Sequence, residues 1–404
     1  MNNLKKTNAI QTTVCIVGAG PAGVILAYLL AMQGIKTLLL ETEKDFDRNF
    51  RGDTVHPSTM EVLDQLDLVK GLMKFPHTKV DLFQINKQKL VNISSLKSKF
   101  NYVTLLHQKD LLKYLTDKAK KFPSFTLLMQ TNAQELIKKG EKVVGVKCLQ
   151  KGKWLTVKAD LIIGADGRFS KMRKEGDFKS KSKSVPMDVL WFKLPKNKND
   201  KNLSSGGKLG KGSMLVVLER EEHWQLGYII AKGEYSELKE EGFPKFKKEF
   251  LSLAPNFKDR INLIKGWKNV SLLNVESSLV KRWYRDGLLL IGDAAHVMSP
   301  VGGVGINYAV KDAVTTANLL SKAIKNGTLT TRDLAKVQRS RKLPTQLIQH
   351  FQSFAQSKIL SPTLHEKSIP LPVKILFKFP YIQNILARII GIGFKRVLID
   401  KSIL

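Results

Sequence analysis

Three glycines at fixed offsets stand where a short apolar run, TVCIV at residues 13–17, gives way to an apolar, alanine-containing stretch with proline near its start. The hexapeptide is Gly18-Ala19-Gly20-Pro21-Ala22-Gly23, and a second apolar run, IKTLLL at residues 35–40, follows it. This order predicts a strand, a helix over residues 21–32 and another strand, which together form a β-α-β unit. In such a unit the first glycine permits a tight turn. The second lets the backbone approach an anion at the helix N-terminus, and the third lets the helix lie close on the strand. Glu41 closes the second run, where a carboxylate can accept both hydroxyls of a ribose. The unit therefore predicts an α/β fold with a Rossmann-like dinucleotide site, and leaves NAD and FAD both open.

The same segment could be mistaken for a membrane anchor, because residues 12–33 carry no charge and are long enough to span a bilayer. The glycines and proline fall where a strand turns into a helix, and a soluble dinucleotide-binding domain buries both elements. A cytoplasmic protein is expected. The chain has 404 residues, enough for one large or two interlocked domains. Cys15 and Cys148 are the only cysteines, which leaves no CxxC, no metal-ligand spacing and no disulfide framework; no metal site is expected. The net charge is +32, but the lysines are scattered and lack interleaved aromatics. A solvated basic surface is expected in place of nucleic-acid binding.

Further along, Ser58-Thr59-Met60-Glu61 has the spacing of a capping box opening a helix. Residues 108–121 place Leu111, Leu112 and Leu115 on one helical face, and residues 125–129, 143–149 and 154–157 read as strands. The run DLIIG at 160–164 is a buried strand leading into Ala165-Asp166-Gly167. Between about 185 and 230 the pattern changes to alternation at period two, the signature of antiparallel strands with one covered face. LLLI at 288–291 returns to the buried type and ends in Gly292-Asp293, ahead of a glycine-rich loop and a helix over 306–320. Beyond it helix predominates, with Pro344 among the prolines expected to break it.

Three separated segments carry a family resemblance. IIGADGRFS at 162–170, and LIGDAAH at 290–296 followed by PVGGVGIN at 300–307, resemble two signatures of the class A flavoprotein monooxygenases, the p-hydroxybenzoate hydroxylase-like family. Ahead of them, GDTVHPSTMEVLDQL resembles the family's segment after the second strand, and LHQKDLLKYL its helix beginning with a flavin-contacting glutamine. The resemblance covers residues 12 to 325 in the family's order. It implies that FAD is the bound dinucleotide, with NAD(P)H as a transient co-substrate. It assigns Glu41 to the adenosine ribose, Arg51 or Arg48 to the pyrophosphate and Gln108 to the flavin side. Asp166-Gly167 would serve both FAD and NAD(P)H, and Asp293 after Gly292 would hold a ribityl hydroxyl. Pro300, Gly303, Val304, Gly305, Ile306 and Asn307 would form the loop and helix start facing the flavin pyrimidine edge, where backbone amides stabilise charge without a side chain. No catalytic side chain is assigned; His296 is expected to pack or hydrogen-bond behind the loop.

The fold implied is a discontinuous FAD domain (residues 1–75, 101–180 and 276–365) with a mainly antiparallel substrate sheet (76–100 and 181–275) and a helical tail (366–404). The activity implied is NAD(P)H- and O2-dependent hydroxylation of an aromatic or quinone-like molecule through a flavin C4a-hydroperoxide. The alternatives are a flavin reductase or desaturase of a lipid or polyketide-like substrate, and a non-enzymatic basic FAD-binding protein. Trp191, Trp224, Gln225 and Tyr228 are candidate substrate contacts, each also compatible with plain packing. The tail mixes Ile382, Ile385, Leu386, Ile389 and Ile390 with Arg388, Lys395 and Arg396. It is expected to pack on the FAD domain, with contact to an anionic membrane as the alternative.

Overall fold

The computed structural model describes residues 9–47, 52–86, 88–198, 200, 203–210, 213–360, 375 and 378–404. Its larger sheet has four parallel neighbours at its heart: Phe125–Leu128, Thr37–Leu40, Ala9–Val17 and Lys153–Gly164, with Leu288–Leu290 continuing the parallel order. These strands read as unbroken apolar runs because both faces are covered. Helix Pro21–Met32 lies on one face against Gly305–Lys325, and every residue from Ala22 to Ala31 is buried. The apolar, uncharged segment that resembled an anchor is thus a core strand and a core helix. Among the described residues no helix is long and apolar enough to cross a membrane.

Two sequence expectations are corrected here. The strands expected at 154–157 and 160–164 are a single strand, Lys153–Gly164, whose outer half pairs with the antiparallel ribbon Lys142–Gln150 and whose inner half enters the parallel sheet. Pro344 does not break the last long helix, Thr331–Ala355, which runs through it. Buried Thr345 and Ile348 hold the second half in place, and the Tyr308 hydroxyl donates to the Pro344 carbonyl at 3.4 Å.

The second sheet has seven strands, in the order Ser271–Leu273, Met187–Pro195, His223–Ala231, Ser213–Glu219, Gly206–Gly210, Leu82–Ile85 and Gln88–Asn92. Period-two alternation splits its side chains between two cores. Phe192, Leu194, Leu226 and Tyr228 turn toward helix Phe243–Leu253, where Phe246 and Phe250 pack edge-on to their rings. Met187, Val189, Met214 and Ile229 turn the other way, toward the glycine-bearing ends of the parallel strands. The tail helix Pro380–Gly391 packs on strand Gln88–Asn92 and the turn after it. The tail was expected on the FAD domain, and its last residues pack there, with Val397, Ile399 and Ile403 in the core of the parallel sheet and Gln65 hydrogen-bonded to Ile399. The helix before them also rests on the edge of the seven-stranded sheet, where Ala387 joins the core on its cavity side.

Candidate active site

The two sheets enclose one cavity of about 1180 Å³. Its polar end is built at the carboxyl ends of the parallel strands, where doubly wound sheets bind ligands. Gly18 adopts φ +102° and faces Ala165, whose carbonyl would lie 2.5 Å from any added Cβ. A Cβ on Gly23 would lie 2.0 Å from the Gly18 carbonyl, so this glycine serves the packing of helix on strand. At Gly20 the space is open and the helix start lacks a side-chain cap. First-turn amides are therefore available to an anion there.

Glu41 is buried beside this turn, where its carboxylate accepts the Ala19 N–H at 2.9 Å and the Glu43 N–H at 3.0 Å. It holds the glycine loop and still borders the cavity. Asp166 accepts the Ser170 hydroxyl at 2.6 Å and the Met172 N–H at 2.9 Å. Burial raises its pKa, and these hydrogen bonds oppose that shift. Its carboxylate fixes the turn, while Asp166 and Gly167 both border the cavity. Pro21, Ala22, Gln108, Asp293, Pro300, Gly303, Gly305 and Ile306 line the same space.

Other residues named from the sequence stand behind this wall. The Gly292 N–H donates to Asp312 at 2.9 Å. Val304 packs with Met298, Tyr308 and Ile348. Asn307 accepts the His56 N–H and the Thr59 hydroxyl, at 3.1 and 2.6 Å, and so ties helix Gly305–Lys325 to helix Pro57–Gln65. That second helix begins at Pro57 with His56 as its cap residue, so the expected Ser58–Glu61 box does not form; Glu61 is instead taken up by Ser98 and Arg396. Arg48 and Arg51 lie outside the described residues.

His296 turns away from the cavity. Its Nε2 donates to Asp312 at 2.6 Å, and Arg341 Nε donates to the other oxygen of that carboxylate at 2.8 Å. All three groups are buried. Burial alone would push the Asp312 pKa up, but its interactions with His296 and Arg341 outweigh it and hold the group at about 2.

The apolar end takes Trp191 and Gln225 from the sheet. Trp224 and Tyr228 have the opposite parity and serve packing: the Trp224 indole donates to Asp200 at 2.7 Å, and the Tyr228 hydroxyl to Glu249 at 3.2 Å. Trp191 lies over Gly227, where an added Cβ would come within 2.9 Å of the indole.

Two residues not singled out from the sequence complete the site. Arg220 is only 3 % exposed; its Nε donates to Gln225 at 2.9 Å and one terminal nitrogen, Nη2, to Asp53 at 3.0 Å. Asp53 also accepts the Gln108 N–H at 3.1 Å, so it joins the two sheets' loops at the cavity. Burial lowers the Arg220 pKa and Asp53 opposes the shift. The other terminal nitrogen, Nη1, has no hydrogen-bond partner among the described residues. A parity signal for Arg220 was available, since Met214, Val216 and Leu218 face the cavity and residue 220 continues that series.

Open glycine turns, an uncapped helix start and a buried carboxylate at one end of a cavity, with an apolar sheet at the other, fit an FAD-dependent oxygenase. The chain belongs to the family described as FAD binding domain, which matches residues 11–349, and is a p-hydroxybenzoate hydroxylase-like FAD-dependent monooxygenase with NAD(P)H as co-substrate. It is 32% identical over 388 residues to 6-methylpretetramide 4-monooxygenase of Streptomyces rimosus, a match that spans 94% of this chain and 92% of that protein. In fold it is similar to p-nitrophenol 4-monooxygenase from Pseudomonas putida DLL-E4, with TM-score 0.77, 18% identity and coverage of 96% and 100%. It is also similar to anhydrotetracycline hydroxylase from Streptomyces rimosus, with TM-score 0.74, 20% identity and coverage of 95% and 76%.

Proposed function

We propose that this monooxygenase hydroxylates a large, apolar, polycyclic aromatic or quinone-like molecule that presents one ionisable oxygen to Arg220. The observation that carries the reading is the unpartnered Nη1 of a buried arginine at a cavity whose sheet wall is apolar apart from Arg220 and Gln225. A guanidinium so placed favours a phenolate or enolate oxygen, and a buried charge-assisted hydrogen bond discriminates strongly against an analogue without that oxygen. Trp191 and the aliphatic side chains around it would hold the rings by contact area. The similarity to an enzyme named for a pretetramide substrate supports a fused-ring compound over a single small ring.

FAD, when bound, supplies the reductive activation of O2. We assign its cradle to the Gly18–Gly20 turn, the start of helix Pro21–Met32, Glu41, Gln108, Asp166-Gly167, Asp293 and the loop Pro300 to Ile306, with Gly23, Gly292, Val304 and Asn307 supporting it from behind. The chain's own tasks are to orient the ring carbon, to neutralise the substrate oxygen through Arg220 and to keep water out with the apolar wall. Because such a substrate partitions into lipid, peripheral contact with a membrane belongs to the same proposal.

The test is turnover of a hydroxylated anthraquinone or tetracyclic phenol under ¹⁸O₂ with NAD(P)H, followed by mass spectrometry. One labelled oxygen in the product is expected. A substrate turned over without label, and equally well without oxygen, would overturn the reading in favour of reduction.

A further inference from the structure

We infer that the face around the cavity mouth, formed by the tail helix and the end of helix Thr331–Ala355, docks on an anionic phospholipid bilayer. Its use in substrate delivery rests on the apolar-substrate reading above, whereas the docking itself does not.

The first observation is an apolar crest where a soluble surface should be polar. Ile382, Leu386 and Ile390 of the tail helix line the cavity. Tyr381 and Ile385 lie one residue off this series and face outward, with Tyr381 at 73 % exposed, and Phe379 is exposed just before them. The neighbouring helix adds Leu343, Leu347 and Phe354, which helical spacing places on one stripe, with Leu343 at 62 % and Phe354 at 59 % exposed. Phe354 also lines the cavity, so the crest and the cavity are continuous. Phe351 of one helix and Ile389 and Ile390 of the other pack against the same buried cluster of Met298, Val304, Tyr308 and Ile348, which brings the two helices to one side of the molecule. Contiguous apolar area of this kind marks an interaction site.

The second observation is charge. From Asp333 to Asp400 the only intervening acidic residue is Glu366. Exposed Arg339 and Lys358 stand at the two ends of the apolar stripe, and Lys378 and Arg388 flank the exposed part of the tail helix. Lys183, on the exposed edge strand Ser180–Ser184, lies beside Gln349 and Ser353 of the same helix. Bulky apolar side chains flanked by cations on the same two helices fit a surface that is negative outside and hydrocarbon within. A nucleic acid would use the cations but leave the aliphatic crest in water.

The experiment is co-sedimentation of the FAD-loaded full chain with phosphatidylcholine vesicles, with and without phosphatidylglycerol. Two double variants are compared: Tyr381→Ser with Ile385→Ser, and Lys378→Gln with Arg388→Gln. None of these four side chains lines the cavity, so flavin absorbance and turnover of a water-soluble phenol should be unchanged and serve as the folding control. Wild type should pellet with anionic vesicles and stay in solution with neutral ones. Each double variant should lower the partition coefficient at least about tenfold. Wild type remaining in the supernatant would overturn the proposal, as would binding that ignores the apolar pair and disappears in salt. A wild-type dimer that becomes a monomer in the apolar variant would assign the crest to a second copy of this chain, and would overturn it too. Loss of phenol turnover in wild type with docking intact would count against the proposed function alone.

Discussion

Arg220 and Glu41 are both buried charges, yet they stood out differently in the sequence. Glu41 belongs to a motif with fixed offsets, whereas Arg220 is one of 67 basic residues and is distinguished only by the parity of the strand before it. Their substitutions should separate cofactor from substrate. Glu41→Ala removes the acceptor of the Ala19 N–H and the carboxylate proposed for the ribose. Losing such charge-assisted bonds costs about 2 kcal/mol, or roughly thirtyfold in FAD affinity, readable as the dissociation constant from flavin fluorescence. Arg220→Gln should instead leave FAD affinity within a few-fold and weaken binding of a phenolic substrate by about tenfold to a hundredfold, measured by perturbation of the flavin spectrum. Gly227→Val probes the wall, since its side chain would collide with Trp191. KM for a polycyclic substrate should rise while that for a small phenol changes little.

Among the elements, the tail and the helix behind the third glycine loop depend on buried titratable groups. His56 Nδ1 donates to the Ile390 carbonyl at 2.9 Å, and Lys311 Nζ donates to the Ile392 carbonyl. Burial lowers the His56 pKa, the Lys311 charge adds to this and the nearby carbonyls oppose it, leaving it at about 4. In the unfolded chain it returns to about 6.5. Between those values the unfolded state binds the extra proton, so stability is present above pH 6.5 and is lost as pH falls toward 4. The group's share is about 3 kcal/mol. Chemical denaturation across pH 4 to 7 should show this slope, and His56→Gln should reduce it by this share, leaving that of His223, which burial also lowers to about 4. Asp312 supports the Gly292 loop in a different way. In Asp312→Asn the buried His296 and Arg341 lose their charged partner, which should cost about 3–5 kcal/mol by urea unfolding. Release of the Gly292 N–H should weaken FAD binding in the same variant.

At the scale of the whole molecule, a large interior space separates the core of the parallel sheet from the two cores of the seven-stranded sheet. A ligand filling that space contacts both layers and binds only the folded chain. FAD at a hundred times its dissociation constant should therefore add about 3 kcal/mol and raise the melting temperature by several degrees. Calorimetry on flavin-stripped and reconstituted protein checks this; an unchanged melting temperature would mean that the folded chain does not bind the cofactor in preference to the unfolded one.

Local chemistry alone was enough for the α/β fold, the GAGPAG turn, Glu41 and the alternation of the second sheet. Each of these is set by residues near one another in the chain: hydrophobic period, glycine geometry and the acid ending a strand. Tertiary structure decided which parity of each strand faces the cavity, and so why Trp191 and Gln225 border it while Trp224 and Tyr228 do not. It also joined Asp53 to Arg220, set Asp312 between His296 and Arg341, and wedged the tail helix between the edge of the seven-stranded sheet and His56. Those pairings link positions far apart in sequence, and a buried charge is stable only where the fold delivers its partner. No local pattern records which partner that will be.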